Sequence, residues 1–312
     1  STYFLEGTLR GDRSSTLPVA NNTYVYPSVS GSIVFSKFIK DQTILSFGKV
    51  RASWAKVGSD TDPYQLALNY ATGKYSYPGF TIGMINNDMQ PNKDLKPTMT
   101  SSYELGFETK FFNGRLNVDF TFYDQISKDQ IIGLASSSAA GYSSRLINAG
   151  KIQNKGIELS LNSTNIQTRD FSWQTNFNIS FIKNTLKGLA SGVESMYARS
   201  GFDSNFTAYD YIATVGQSLG LIYGYEFDGV YQSSDFYTTP DNQLILKEGV
   251  TNNARYGTVK PGVVKYKDQD GDGIITTNDR TVIGNAMPKW FGGITNTFDY
   301  KGIDFSFMLQ FN

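Results

Sequence analysis

The chain has 312 residues, with 28 Lys plus Arg balanced by 28 Asp plus Glu, 14% aromatics, and neither Cys nor His. Zero net charge and the lack of a basic cluster exclude a phosphate-tracking groove, and with it nucleic acid as a partner. Without thiol or imidazole there is no disulfide framework, no His-based triad and no zinc-type site, so any metal held here is a hard, oxygen-ligated one. No apolar run approaches the roughly 18 residues of a membrane helix.

The chain opens on "STYFLEGTLRG", a strand pattern with no signal peptide ahead of it. Period-two alternation then dominates, and helical periodicity is hard to find. Strands are expected over residues 1–11, 24–37 and 43–57, with a short turn near Lys40-Asp41. Within the third, Ser53-Trp54-Ala55-Lys56 has the Ser-x-x-Lys spacing of penicillin-binding enzymes. On a strand those two side chains point to opposite faces, so the motif is discarded. Nothing else in the chain argues for catalysis, and no enzyme is expected.

The next pair is the clearest. Over 98–112, Tyr103, Leu105, Phe107, Thr109 and Phe111 alternate with Glu104, Gly106, Glu108 and Lys110. Over 115–127, Leu116, Val118, Phe120 and Phe122 alternate with Asn117, Asp119, Thr121 and Tyr123. Asn113-Gly114 between them is a strong hairpin signal. Four more strands follow at 155–165, 170–184, 289–300 and 302–312, the last setting Ile303, Phe305, Phe307, Leu309 and Phe311 against Asp304, Ser306 and Gln310.

Short turns near Lys40-Asp41, Asn113-Gly114, Gln167 to Arg169 and Lys301 alternate with long Gly- and Ser-rich connections at 12–23, 58–97, 128–154 and 185–288. Strands that run up and down then place every short turn at one end and every long loop at the other. That asymmetry, with strands of ten residues or more and one apolar face, predicts an all-β fold: part of a large antiparallel transmembrane β-barrel with long extracellular loops and short periplasmic turns. A soluble antiparallel sandwich also alternates its faces, but its strands are usually nearer five or six residues. Nine strands is an odd count for a bacterial barrel, and both ends of the chain read as cuts through a larger polypeptide.

Inside the 185–288 connection lies "DQDGDGIITTND". Asp268, Asp270 and Asp272 stand at positions 1, 3 and 5, Gly273 at the sharp turn, the Ile274 carbonyl at position 7 and Asp279 at position 12, the spacing of a calcium loop. An EF-hand has helices on both sides, whereas both flanks here read as strand. The expected cofactor is a structural Ca2+, weakened because Asp is shorter than Glu at the twelfth position. The competing expectation is a solvated acidic turn held by side-chain to backbone bonds. In the same connection Tyr223, Tyr225, Phe227, Tyr231, Phe236 and Tyr237 are either flat faces for sugar rings or a lid protein, or simply the strand residues of "YGYEFDGVY" folding against "VVKYK".

The stretches "LKPTMTSSYELGFETKFFNGRLNVDFTFYDQISKDQI", "INAGKIQNKGIELSL" and "GVVKYKDQDGDGIITTNDRTVIGNAMPKWFGGITNTFDYKGIDFSFMLQ" resemble the barrel of SusC/RagA-type TonB-dependent outer-membrane transporters. Upstream, "YPSVSGSIVFSKF" and "LSFGKVRASWAKVGSDTDPYQ" also fit. The resemblance implies that residues 1–312 are part of one barrel, a C-terminal portion without the plug domain, the TonB box or the final strands. It implies import of oligosaccharides or oligopeptides across the bacterial outer membrane. The implied partners are a SusD-like lipoprotein, the TonB complex through the missing N-terminal region, and outer-membrane lipid. A siderophore or cobalamin receptor, or a secreted calcium-stabilised adhesin or glycan-binding module, is the alternative. The cargo itself is not legible.

Overall fold

The computed structural model describes residues 2–68, 70–72, 83–85, 89–135, 139, 141–142, 144–198, 211–253 and 258–312. Parts of the 58–97, 128–154 and 185–288 connections therefore lie outside the described residues. Two compact units divide the chain: residues 1–194, 215–217 and 288–312 form one, and 195–214 with 218–287 form the other.

All nine expected strands occur in the first unit: β1 (Tyr3–Arg13), β2 (Thr23–Ile33), β3 (Leu45–Ser59), β4 (Thr98–Phe111), β5 (Leu116–Lys128), β6 (Lys151–Gln167), β7 (Phe171–Gly188), β8 (Trp290–Tyr300) and β9 (Ile303–Phe311). They form one sheet in chain order, each antiparallel to the next. Its edge strands β1 and β9 do not pair with each other.

Register decides the faces, because a slip by one residue would move every side chain across the sheet. The pairing Ala52, Leu105, Phe122, Ile157, Phe181, Trp290 runs across six strands as one apolar row. Beside it runs Val50, Phe107, Phe120, Leu159, Ile179. The alternate rows are polar, for example Lys49, Glu108, Asp119, Ser160, Asn178. Among the described residues nothing covers the apolar face: Leu5 is 84% exposed, Ile303 72% and Phe305 61%.

One of the expected short turns is a longer connection. The second strand ends at Ile33, short of residue 37, and Phe35–Phe38 forms a 3-10 turn. There the Phe35 ring lies against the bare Cα of Gly48, where a Cβ would clash with the ring carbons. Residues 34–44 therefore make a folded connection, not a tight turn at Lys40-Asp41, and this link is longer than the 14–22 link at the opposite end. The other three short turns are short: 112–115, 168–170 and 301–302.

The first unit keeps its buried apolar cluster among the long connections. Leu17, Leu95 and Leu146 come from three different loops and pack with Tyr24, Leu66, Met89 and Ile131. Polar links tie the same loops together. The Asn148 amide donates to the Lys96 carbonyl (2.7 Å) and the Asp129 carbonyl (3.0 Å), and its oxygen accepts from the Lys96 N–H (2.8 Å).

The second unit is built the opposite way. Ser195–Ala198, Tyr211–Thr214, Leu221–Tyr225 and Arg280–Asn285 make a four-stranded sheet, while Phe227–Val230 pairs with Val264–Tyr266 and Phe236–Thr238 with Leu244–Leu246. Tyr231, Phe236 and Ile275 are buried here together with Asn253 and Asp279.

Candidate functional site

The acidic loop follows Val264–Tyr266 and ends in the 3-10 turn Thr277–Asp279, which leads into Arg280–Asn285. Strand on either side is as expected from the flanks. Gly271 (φ 77°) and Gly273 (φ 83°) take the left-handed conformation that folds the acid back on itself. Asp268 accepts N–H bonds from Gly271 (2.7 Å) and Gly273 (2.7 Å). Asp279 accepts from Gln269 (2.8 Å) and Thr276 (2.7 Å), and has no solvent exposure. Asp272 accepts from the Ile274 N–H (2.8 Å).

Three of the four carboxylates come together: oxygens of Asp268, Asp270 and Asp279 lie within 4.8 Å of one another. Asp272 stands outside this group, and the Ile274 side chain is exposed. A carboxylate oxygen that accepts one N–H keeps a second lone pair, so this donor set fits a hard cation. Burial pushes the Asp279 carboxyl up, but the N–H groups of Thr276, Gln269 and Asp270, with Asp268, outweigh it and hold the pKa below the usual value. Desolvation is the largest single contribution, and it is outweighed by the sum of these bonds. The loop is anchored to Asn252, whose N–H donates to the Gly273 carbonyl (2.8 Å) and whose carbonyl accepts from Ile275 (2.9 Å).

Next to that anchor stands Tyr231. Its hydroxyl donates to the Thr251 carbonyl (2.6 Å) and meets the Asn253 side chain. Of the six aromatics singled out from sequence, Tyr231 and Phe236 form the core, and Tyr223 and Tyr225 sit on a strand under the Arg280 guanidinium. Phe227 pairs with Tyr266, as "YGYEFDGVY" against "VVKYK" required. Phe227 and Tyr237 remain exposed.

On the polar face of the sheet, Arg51 of β3 reaches across β4 to Asp119 of β5 with two bonds, Nη1 to Oδ2 (3.0 Å) and Nη2 to Oδ1 (2.8 Å). It can cross because Gly106 lies beneath it: a Cβ there would stand 2.8 Å from Nε. The sequence did not show this link, since it depends on the register of three strands. Ser53 lies opposite Glu104, while Lys56, opposite Ser101, has the other parity, so the Ser-x-x-Lys pair is divided between faces.

The apolar face has the dimensions of a membrane band. From Phe171 to Phe181, β7 rises about 33 Å at about 3.3 Å per residue. Tilted by about 40°, it covers about 25 Å of height. Rings gather at both ends: Trp173 stacks on Phe298 (5.7 Å) and Phe298 on Phe305 (6.2 Å) near the short turns, and Trp290 lies beside Phe181 at the other. Aromatic residues at both rims are what the interfaces of a bilayer select.

Comparison with known proteins agrees. Residues 2–287 match the family "TonB dependent receptor-like, beta-barrel". "TonB-dependent receptor P3" of Formosa agariphila is 30% identical over 315 residues, which cover 99% of this chain and 30% of that protein. "TonB-dependent receptor SusC" of Bacteroides thetaiotaomicron is 25% identical over 316 residues, 99% of this chain and 29% of that protein. The chain thus spans about 30% of the length of these relatives. The solved structure "Structure of the RagAB peptide transporter" shares the fold, with a TM-score of 0.78 at 20% identity over 99% of this chain and 31% of that one. Matched along nearly its whole length, with one face built for lipid and the other for water, the chain belongs to the TonB-dependent receptor β-barrel family of the outer membrane.

Proposed function

We propose that the chain is barrel wall in an active importer that takes oligosaccharides or oligopeptides across the outer membrane. In this reading a SusD-like lipoprotein covers the extracellular end, and the TonB complex supplies energy through a region outside these residues. The observation that carries it is the polar face. Along β5 to β8 that face presents Asn117, Asp119, Thr121, Glu158, Ser160, Asn162, Gln174, Asn176, Asn178 and Thr295, mainly neutral donors and acceptors, whereas the charges of the face gather on β3 and β4 at Lys49, Arg51, Glu104, Glu108 and Lys110. Such a lining suits uncharged polar solutes, sugars or peptide bonds, better than a highly charged chelate. The relative titled a peptide transporter supports the peptide branch.

Deletion of the gene, followed by growth on oligosaccharide, on oligopeptide and under iron restriction, tests this. The proposal expects a defect on one of the first two sources and none under iron restriction; a defect confined to iron restriction would refute it.

The loop 268–279 is proposed to hold Ca2+ through Asp268, Asp270 and Asp279, with Asp272 and the Ile274 carbonyl as further oxygens. Bound calcium would supply positive charge where three carboxylates converge and fix the loop against Asn252. Its role is structural. Asp270→Ala should weaken calcium binding more than Asp272→Ala, as read by calcium titration of the whole receptor, because Asp270 belongs to the gathered set. Equal losses would place the ion elsewhere in the loop.

A further inference from the structure

Above the apolar band, at the long-connection end of β6 and β7, the lipid-side face changes character within one residue pair. Ile157 lies opposite Phe181, and the next pair on the same face is Lys155 opposite Lys183. Like charges directly opposite each other destabilise a strand pair. Asp124 neutralises one of the two: its carboxylate lies 3.0 Å from Lys155 Nζ and also accepts from Gln153 (2.7 Å). The side chain of Lys183 has no ion pair or hydrogen bond among the described residues, and neither has that of Lys187, four residues further along β7. The three lysines, Gln153 and Thr185 line a cleft of about 260 Å³ that contains no acidic side chain. Below it Ile157, Phe181 and Trp290 are 40%, 48% and 40% exposed.

A site with two uncompensated ammonium groups directly over an uncovered apolar surface fits a molecule with an anionic head and a hydrocarbon body. We propose that the cleft binds the phosphate of an outer-leaflet lipid headgroup, with its acyl chains laid over Ile157 and Phe181. Lys183 and Lys187 hold the phosphate oxygens, while Lys155, already paired with Asp124, borders the cleft and fixes its wall. The long-connection end of an outer-membrane barrel is the extracellular one, so the headgroup is that of the outer leaflet. The inference rests on the assignment of the apolar face to lipid.

The test uses the full-length receptor in nonionic detergent, with lipid A, phosphatidylethanolamine or inorganic phosphate as the added probe and native mass spectrometry as the readout. Wild type should retain lipid A in preference to phosphatidylethanolamine. Lys183→Gln with Lys187→Gln should bind it roughly thirtyfold more weakly, the loss expected for two lysines at an anionic membrane surface. Lys183→Arg with Lys187→Arg should retain it, and so should Lys49→Gln on the opposite face. Unchanged binding in the double glutamine variant would overturn the proposal, as would an equal loss in Lys49→Gln. Inorganic phosphate that binds as tightly as lipid A would also overturn it in favour of a free-anion site. Reagent accessibility of Phe181→Cys in the same preparation separates the two levels. If position 181 faces the detergent, unchanged binding in the double variant defeats the cleft alone, whereas a water-facing position 181 defeats the face assignment as well.

Discussion

The nine-stranded sheet and the inserted unit are made from one composition by opposite rules. In the sheet, large apolar side chains such as Leu5, Ile303 and Phe305 lie outside, and polar groups face each other across the strands. In the inserted unit, Tyr231, Phe236 and Ile275 lie inside, and the polar groups among them, Asn253 and Asp279, are satisfied by hydrogen bonds. The sheet borrows its apolar environment from the membrane, whereas the inserted unit must make its own. Substitutions that matter greatly in one region should therefore mean little in the other.

The largest break comes from charge on the lipid face. Phe177→Arg, on the row with Leu161 and Ile294, should cost about 2–4 kcal/mol at mid-membrane depth. Asn176→Arg, one residue along and on the polar face, should be tolerated. Folding of the full receptor into vesicles under urea reads both, and equal losses would remove the distinction between the faces.

Within the inserted unit the corresponding break is Tyr231→Phe, which keeps the ring and deletes the hydroxyl between Thr251 and Asn253. Depriving the buried Asn253 oxygen and the half-buried Thr251 carbonyl of that donor should cost about 1–3 kcal/mol. Hydrogen exchange should rise over residues 231–253 and 264–275 while β4 to β7 stay protected. Faster exchange in the sheet would show that the two regions are not separately stabilised.

A smaller effect is expected on the polar face. Gly106→Ala puts a methyl group against Arg51 and should undo its bidentate grip on Asp119. Both side chains are about a third exposed or more, so the loss is that of a surface pair, about 0.2–1 kcal/mol. Asp119→Asn in the Gly106→Ala background should then add almost nothing in the same vesicle-folding assay.

The smallest effect is a pH response confined to the acidic loop. The folded pKa of Asp279 is lowered, so its contribution is fully present above the ordinary carboxylate value of about 4 and is lost as pH falls through the lower folded value. Exchange of residues 266–280 should quicken below about pH 4 in wild type and lose that dependence in Asp279→Asn. A loop that loosens as pH rises would have the wrong sign.

Much of this contrast was legible in the amino-acid order, because a strand with lipid on one side and water on the other must alternate. Phe120 against Asn117 and Asp119, or Phe177 against Asn176 and Asn178, declares both the strand and its faces without knowledge of neighbours. The end of β2 was not legible, since it depends on Phe35 finding a bare Cα at Gly48, a residue from another strand. The Arg51–Asp119 link and the Lys155–Lys183 pair likewise exist only once register is fixed. In the acidic loop, spacing correctly marked Asp268, Asp270 and Asp279 as neighbours but could not show that Asp272 turns to its own Ile274 N–H instead.

Alternate residues of the long strands face lipid and water in turn. No cysteine occurs in this chain, so single cysteines placed one at a time from Trp173 to Phe181 along β7 can report it directly. In the full receptor reconstituted into vesicles, a membrane-impermeant thiol reagent should label positions 174, 176, 178 and 180, and a lipid-soluble reagent positions 173, 175, 177, 179 and 181. Labelling with that two-residue period supports the assignment; labelling without alternation, or with the two reagents exchanged, contradicts it.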